Sequence, residues 1–168
     1  DIDMDGKADL VIGASLADSG AGAVFVIYGK QGGYTDFDIS SLPSTAIKIS
    51  GAGGWNVNTK TDLNGDKISD LIISSKTANS NNGAIYVIYG SQTRLTSFNI
   101  ASLTSSAGFK ISGVPTSHLG AALASAGDFN GDKIADLTFS APGALSDQGV
   151  GYVLYGKQTP PFSDFTVT

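Results

Sequence analysis

The feature that most constrains this chain is an acidic ten-residue segment that occurs three times. The copies align without gaps at residues 1–10, 62–71 and 128–137, so their starts are 61 and 66 residues apart. A second shared segment follows each copy after about 12 residues, at positions 22–31, 83–92 and 149–158. Self-similarity with this period indicates an array of similar structural units. We divide the chain into repeat units 1–53, 54–118 and 119–168, of which the first and last are incomplete.

Two further blocks recur, one at residues 37–42 and 98–103 and the other at 47–51 and 109–113. Together the blocks predict four strands per unit. In the third unit the first strand is predicted over residues 119–129 and the second over 136–140. The third strand is a near-continuous apolar run at 23–28 and 84–89, and such a run is typical of a strand that is buried on both faces. An all-β fold of four-stranded antiparallel β-propeller blades is therefore predicted.

The chain opens in the loop between the first and second strands of a unit and ends before a fourth strand appears in the last unit. It should therefore contain about two and a half blades, whereas closed propellers have about four to eight. We expect the further blades to come from the same chain or from self-association.

Composition supports turns and strands and excludes several classes of protein. All 15 acidic residues are Asp, none is Glu, and there are 22 glycines. The net charge is −5 and no basic cluster occurs, which argues against nucleic-acid binding. Cysteine is absent, and no apolar run reaches the roughly 18 residues of a membrane span.

Side-chain oxygens recur at positions 1, 3, 5 and 9 of each acidic segment, and these windows hold ten of the 15 aspartates. Carboxylates packed so closely repel one another, at roughly 4 kcal/mol per pair at about 4 Å. A hard cation removes that repulsion, and calcium accepts six to eight oxygen ligands in irregular geometry. We predict up to three Ca²⁺ sites, with a backbone carbonyl from position 7. The predicted ligands are Asp1, Asp3, Asp5, Lys7 and Asp9; Asp62, Asn64, Asp66, Ile68 and Asp70; and Asp128, Asn130, Asp132, Ile134 and Asp136.

Other metals and other loops fit less well. Zinc and copper are disfavoured because the chain has no cysteine and one histidine, and magnesium prefers a strict octahedron that keeps its waters. An EF-hand requires Glu at position 12, where this chain has Ile12, Ile73 and Phe139. The alternative is that the clusters form solvated turns, but three copies at the same place in the repeat favour a metal.

The motifs around the acidic segments resemble the FG-GAP repeat of the integrin alpha-subunit propeller. The third unit has Leu119-Gly120 where that family has Phe-Gly, and Ser140-Ala141-Pro142 where it has Gly-Ala-Pro. The first unit keeps Gly13-Ala14-Ser15, while the second departs most, with Gly54-Trp55 and Ser74-Ser75-Lys76. The family's glycine at loop position 6 is matched by Gly6, whereas the other loops have Lys67 and Lys133 there and glycine at position 4.

This resemblance implies a seven-bladed propeller with calcium in the loops of one face and a protein or glycan ligand on the opposite face. It also implies a secreted, extracellular or cell-surface protein that serves recognition or adhesion. No Gly-x-Ser-x-Gly nucleophile motif occurs and the loop aspartates are better explained as metal ligands, so we expect that the chain is not an enzyme. The alternative is an accessory propeller region of a larger secreted hydrolase, of a phospholipase-like kind.

Overall fold

The fold is taken from a computed structural model that describes residues 1–36, 38, 41–54, 56–158 and 162–167. Trp55, and part of the first copy of the 37–42 block, lie outside the described residues. The described part contains twelve strands in three sheets. The strands are β1 Leu10–Ala14, β2 Ala23–Ile27, β3 Ala46–Ser50, β4 Asn56–Thr61, β5 Asp70–Ser75, β6 Ala84–Ile88, β7 Phe98–Asn99, β8 Gly108–Ser112, β9 Leu123–Gly127, β10 Asp136–Ala141, β11 Val150–Leu154 and β12 Phe165–Thr166.

Short helical turns occur at Asp18–Gly20, Ala78–Asn81, Ile100–Ser102 and Ala144–Asp147. No helix among the described residues has the length and apolar character that crossing a bilayer requires.

Each sheet follows the predicted order of strands within a unit. The first sheet runs β1-β2-β3, the second β4-β5-β6-β8 and the third β9-β10-β11, and all of these neighbours are antiparallel. These are blades of a β-propeller, and the three described sheets do not close a ring.

The outer edge of a blade carries a strand that the sequence did not predict. β7 pairs in parallel with β3, so that Ile49 lies opposite Phe98, and β12 pairs in parallel with β8, so that Ile111 lies opposite Phe165. β7 lies between the third and fourth strands of the second unit, and β12 follows the third strand of the third unit, so each short strand comes from the unit after the sheet that it joins. We call them cover strands, because each one pairs an edge that would otherwise be open.

Two apolar cores lie between the blades, one on each face of the second sheet. Alternation along β5 separates its side chains, since Ile72 belongs to the core shared with the third blade, while Leu71 and Ile73 belong to the core shared with the first. β2 is buried along its whole length and β6 nearly so, which confirms the prediction for the third strand. β11 instead alternates between half-buried and exposed residues, because no described element covers its outer face.

The first strand of the third unit is shorter than predicted. Regular pairing begins at Leu123 instead of residue 119, because Leu119 forms a parallel bridge to Gly83 of the second blade. Gly120 then adopts φ +82°, which turns the chain before it enters β9.

Glycine is required where adjacent blades touch at the start of the third strand. A Cβ on Gly83 would lie 2.3 Å from both the nitrogen and the oxygen of Leu119. A Cβ on Gly22, the equivalent residue of the first unit, would lie 2.3 Å from the oxygen of Gly53, in the connection that leads from β3 into the second blade. Gly149, the third equivalent, has no atom nearer than 3.4 Å. All three have positive φ, so this position combines a left-handed turn with close contact to the next blade, where one is present.

Candidate metal centres

The acidic segments lie at the same place in every unit. The second runs from the end of β4 into β5, the third joins β9 to β10, and the first leads into β1. The strand pairing next to the second and third segments is irregular. The register shifts between Asn58 and Thr61 in the β4–β5 pair, and between Asp136 and Leu137 in the β9–β10 pair. We refer to residues 1–9, 62–70 and 128–136 as the first, second and third loops.

The side chain at position 1 organises each loop by accepting hydrogen bonds from backbone N–H groups. Asp62 Oδ1 accepts from Asp66 at 3.2 Å and its Oδ2 from Lys67 at 2.8 Å. Asp1 and Asp128 accept from the N–H groups at positions 5 and 6 in the same way. The position 1 carboxylate is thus directed into its loop in all three copies.

Positions 3 and 5 continue the same pattern. The Oδ1 atom at position 3 accepts from the position 5 N–H, at 3.2 Å for Asp3, 3.0 Å for Asn64 and 3.0 Å for Asn130. The Oδ1 atom at position 5 accepts from the position 7 N–H of Lys7, Ile68 and Ile134 at 2.9, 2.8 and 2.8 Å. Position 7 is therefore tied into the loop by its N–H, and ligation by its carbonyl stays a prediction.

The aspartate at position 9 has a structural role that sequence reasoning missed. Asp70 Oδ2 accepts from Leu63 N–H at 2.9 Å, and its Oδ1 accepts from Gly90 N–H, just beyond β6, at 3.0 Å. Asp9 and Asp136 make the equivalent pairs of bonds to residues 2 and 29 and to residues 129 and 156. This side chain joins its loop to the end of the third strand. The recurring Tyr-Gly pair after that strand was the sequence signal.

The backbone of the three loops is equivalent despite their different glycine positions. Position 6 has φ +81° at Gly6, +72° at Lys67 and +72° at Lys133. Position 4 is left-handed as well, with φ +56° at Met4 and +70° at Gly65. Lysine therefore occupies a conformation in the second and third loops that glycine adopts without strain in the first.

In the first loop, carboxylate oxygens of Asp1, Asp3 and Asp9 lie within 4.8 Å of one another. Two ligands on opposite sides of one calcium ion are separated by roughly 4.6–5.2 Å, twice the calcium–oxygen distance. The donor set is oxygen only, as calcium prefers, so these residues fit a calcium ion. Asp5 is not part of this group and instead pairs with Lys7 Nζ at 2.9 Å, a hydrogen bond that lowers the pKa of Asp5.

Electrostatics in the second loop also favour a cation. Asp70 is fully buried, and burial raises its pKa to about 7, although the two backbone N–H groups that it binds act in the opposite direction. The negative charges of Asp62 and Asp66 raise the pKa further. In the part of the chain that the structure describes, no lysine or arginine forms an ion pair with Asp70. A bound cation would offset the cost of that buried charge.

Arg94 is a second residue that sequence reasoning missed. It is the only arginine of the chain, lies between β6 and β7, and contacts the first loop of the neighbouring blade. Its Nε donates to Asp3 Oδ2 at 2.5 Å and its Nη2 to Asp5 Oδ2 at 2.9 Å. The contact spans 91 residues along the chain, and the 66-residue repeat could not reveal it because the third unit has no arginine.

Comparisons with known proteins agree with the repeat. The profile of the FG-GAP repeat matches residues 1–27 and 119–154. Integrin alpha-M of Mus musculus is 43% identical over 51 residues, which is 30% of this chain and 4% of that protein. Phosphatidylinositol-glycan-specific phospholipase D of Rattus norvegicus is 33% identical over 173 residues, which is 92% of this chain and 19% of that protein. The chain thus spans 19% or less of the length of these curated relatives.

Proposed function

Because this chain belongs to the FG-GAP repeat family of integrin alpha-like propellers, we propose that it is a calcium-binding module for extracellular recognition or adhesion. The observation that carries the proposal is the oxygen cluster of Asp1, Asp3 and Asp9, within 4.8 Å, together with equivalent hydrogen bonding in the other two loops. Calcium stabilises the three loops and through them the hairpins that they join.

Calcium acts here on stability and not on chemistry. In the first loop the carboxylate oxygens of three aspartates already lie within 4.8 Å of one another, so a metal there finds ligands close to their bound positions and the ordering cost is small. The described carboxylates of the second and third loops do not form such a group and would have to move closer together to bind the metal. A ligand that binds only the folded state at 100 times its Kd adds about 2.7 kcal/mol per site. Extracellular calcium modules bind with Kd of roughly 10⁻⁴–10⁻³ M, so a protein of this kind would be loaded outside the cell.

The proposed recognition face lies at the other ends of the strands. The connections β1–β2, β5–β6 and β10–β11 each contain consecutive residues with left-handed φ: 18–20, 79–81 and 145–147. Left-handed backbone costs roughly 1–2 kcal/mol per non-glycine residue, and such strain is concentrated at binding sites. We propose that these connections present a protein or glycan ligand surface.

A second candidate is an accessory propeller region of a larger secreted hydrolase. The match to the phospholipase D, which covers 92% of this chain, favours it. In that case the 168 residues still act as a non-catalytic, calcium-stabilised scaffold, and catalysis belongs to another region.

The decisive experiment is a thermal melt of the chain in EDTA and in calcium at several millimolar, with magnesium in parallel. At several millimolar calcium and a Kd of roughly 10⁻⁴–10⁻³ M, each site adds about 1–2 kcal/mol. Because 1 kcal/mol corresponds to about 2–4 °C for a chain of this size, each loaded site should raise the midpoint by about 2–8 °C. Substituting Asp128→Asn should reduce the calcium shift, while Asp147→Asn, an exposed aspartate outside the loops, should not. Equal midpoints in EDTA and in calcium would refute calcium binding.

Assaying the same preparation for phospholipase turnover tests the non-catalytic assignment that the two candidates share. Both expect none, and turnover by this chain would contradict the non-catalytic assignment. Binding of immobilised extracellular-matrix proteins or glycans that is lost in EDTA would favour recognition over a purely structural accessory role.

A further inference from the structure

The first loop differs from the other two at position 3. Asn64 Nδ2 donates to Asp66 Oδ2 at 2.9 Å, and Asn130 Nδ2 donates to Asp132 Oδ2 at the same distance. The first loop has Asp3 at this position, and an ionised carboxylate has no hydrogen to donate. Asp3 and Asp5 would therefore repel each other at a place where the other loops contain an attractive contact.

Arg94 occupies the place that this missing donor leaves. Its guanidinium bridges the two carboxylates, with Nε on Asp3 and Nη2 on Asp5. The Asp3 side chain is 4% exposed and that of Asp5 25%, so the pair is partly withdrawn from water and less screened than a surface pair. The Asp3 hydrogen bond is also the largest cause of the raised pKa of Arg94.

The first blade holds Arg94 in position. The guanidinium carbon lies 4.7 Å from the centroid of the Tyr28 ring, and Leu95 N–H donates to the Tyr28 hydroxyl at 2.9 Å. The backbone contact recurs one blade later, where Phe162 N–H donates to the Tyr89 hydroxyl at 3.3 Å. At both blade junctions, the segment that follows the third strand thus binds the tyrosine of the preceding blade. The arginine occurs only at the junction where position 3 of the loop is aspartate.

We propose that Arg94 is the resident counter-charge of the first loop, supplied by the second blade. Its guanidinium donates hydrogen bonds to Asp3 and Asp5, as the asparagine amide at position 3 donates to the position 5 carboxylate in the other loops. Each loop also contains one lysine: Lys7, Lys67 or Lys133. With Arg94 the first loop has four carboxylates and two cations, and each of the other loops has three carboxylates and one cation, so the formal charge is −2 in all three. The first loop is therefore held together without metal, and its stability depends on contact between the blades.

A consequence for calcium rests on the proposed function. A cation entering the first loop meets carboxylates that already interact with a guanidinium. The first loop should therefore bind calcium more weakly than it would without Arg94, and removing Arg94 should make the chain depend more strongly on calcium.

The test is a double-mutant cycle measured in EDTA with Arg94→Gln, Asp3→Asn and both together. Arg94→Gln should lower the midpoint by about 5 °C, because it leaves the nearly buried carboxylate of Asp3 beside Asp5 without a cationic partner. In the Asp3→Asn background the same change should cost less than half as much, because the introduced amide supplies the donor that Asn64 and Asn130 supply elsewhere. Lys48→Gln, which breaks the exposed Lys48–Asp18 pair far from the loops, controls for loss of one charge and one ion pair.

The outcomes separate the two proposals. Arg94→Gln costing no more than Lys48→Gln, or costing the same with and without Asp3→Asn, would overturn the counter-charge. If Arg94→Gln does not fold, folding of the double variant supports the proposal and its failure to fold refutes it. When the melts are repeated in calcium, the midpoint of Arg94→Gln should rise more than that of the unsubstituted chain. An equal or smaller rise would overturn the proposed competition between Arg94 and calcium for the carboxylates of the first loop. No calcium response in any variant would refute the calcium proposal alone, since the cycle in EDTA uses no metal.

Discussion

The contact between blades at Gly83 can be tested by a single methyl group. Gly83→Ala would place a Cβ 2.3 Å from the backbone of Leu119, which cannot rotate away as a side chain can. Gly149→Ala introduces the same group at the equivalent position of the third unit, where the nearest atom is 3.4 Å away. Their φ values, +82° and +79°, are nearly the same, so the two variants differ mainly in the presence of a neighbouring blade.

The magnitudes follow from two contributions. Alanine at such φ costs roughly 1–2 kcal/mol, offset by about 0.4–1 kcal/mol from the restricted unfolded chain, and both variants share this net cost. The overpacking at Gly83 adds about 1–3 kcal/mol, because the second and third blades must move apart. Gly83→Ala should therefore melt about 6 °C below Gly149→Ala.

The assay is urea unfolding of both variants in EDTA, with thermal melts in parallel. Gly22→Ala, which meets the oxygen of Gly53 at 2.3 Å, should resemble Gly83→Ala. Equal free energies of unfolding for Gly83→Ala and Gly149→Ala would refute the argument, because the clash between blades would then contribute nothing.

Three further predictions concern the loops and the cover strands. In EDTA the free energy of unfolding should fall from pH 4.5 to 7, by about 1.4 kcal/mol per pH unit. Burial raises the pKa of Asp70 from its ordinary 3.8 to about 7, so the stability that is fully present below pH 3.8 is lost as the pH rises through about 7. Asp70→Asn should flatten the urea-derived profile, and superimposable profiles would count against the assignment. Lys67→Gly should leave the free energy of unfolding unchanged or raise it by up to about 1 kcal/mol, because Lys67 has φ +72°, a conformation that glycine adopts without strain. Lys60→Gly within β4 should lower the free energy of unfolding by a similar amount, and equal losses for the two variants would contradict strain at Lys67. Val167→Pro removes the N–H that donates to Ser112 oxygen at 3.0 Å, and should cost about 1–3 kcal/mol and increase aggregation seen by light scattering, while an unaltered melt would show that the cover strand is dispensable.

Much of the blade architecture could be predicted from sequence because it depends on local patterns that recur. The apolar runs at 23–28 and 84–89 correspond to β2 and β6, whose burial on both faces required only the composition of the strand. The aspartate spacing likewise located the three loops that lead into the second strand of each unit. Whether these loops bind calcium stays a prediction that the repeat supports.

The missed features depend on contacts between units. Strands of two residues such as β7 and β12 carry no periodicity, and only the recurrence of the Phe98 block at residue 37 marked that segment as structural. Arg94 was missed because its contact with Asp3 joins different units, whereas the repeat reports only what the units share. The left-handed φ of Lys67 could have been inferred from its alignment with Gly6.

The cover strands give the array a direction. The first and second blades each receive their outermost strand from the unit that follows, so altering the segment that contains a cover strand affects the preceding sheet more directly than the sheet of its own unit. An insertion or exchange cut at the boundary between two sheets would part a blade from its borrowed strand and provide it with a foreign one. Chimeras that exchange whole blades should therefore be joined beyond the cover strand, where the donated segment travels with its acceptor.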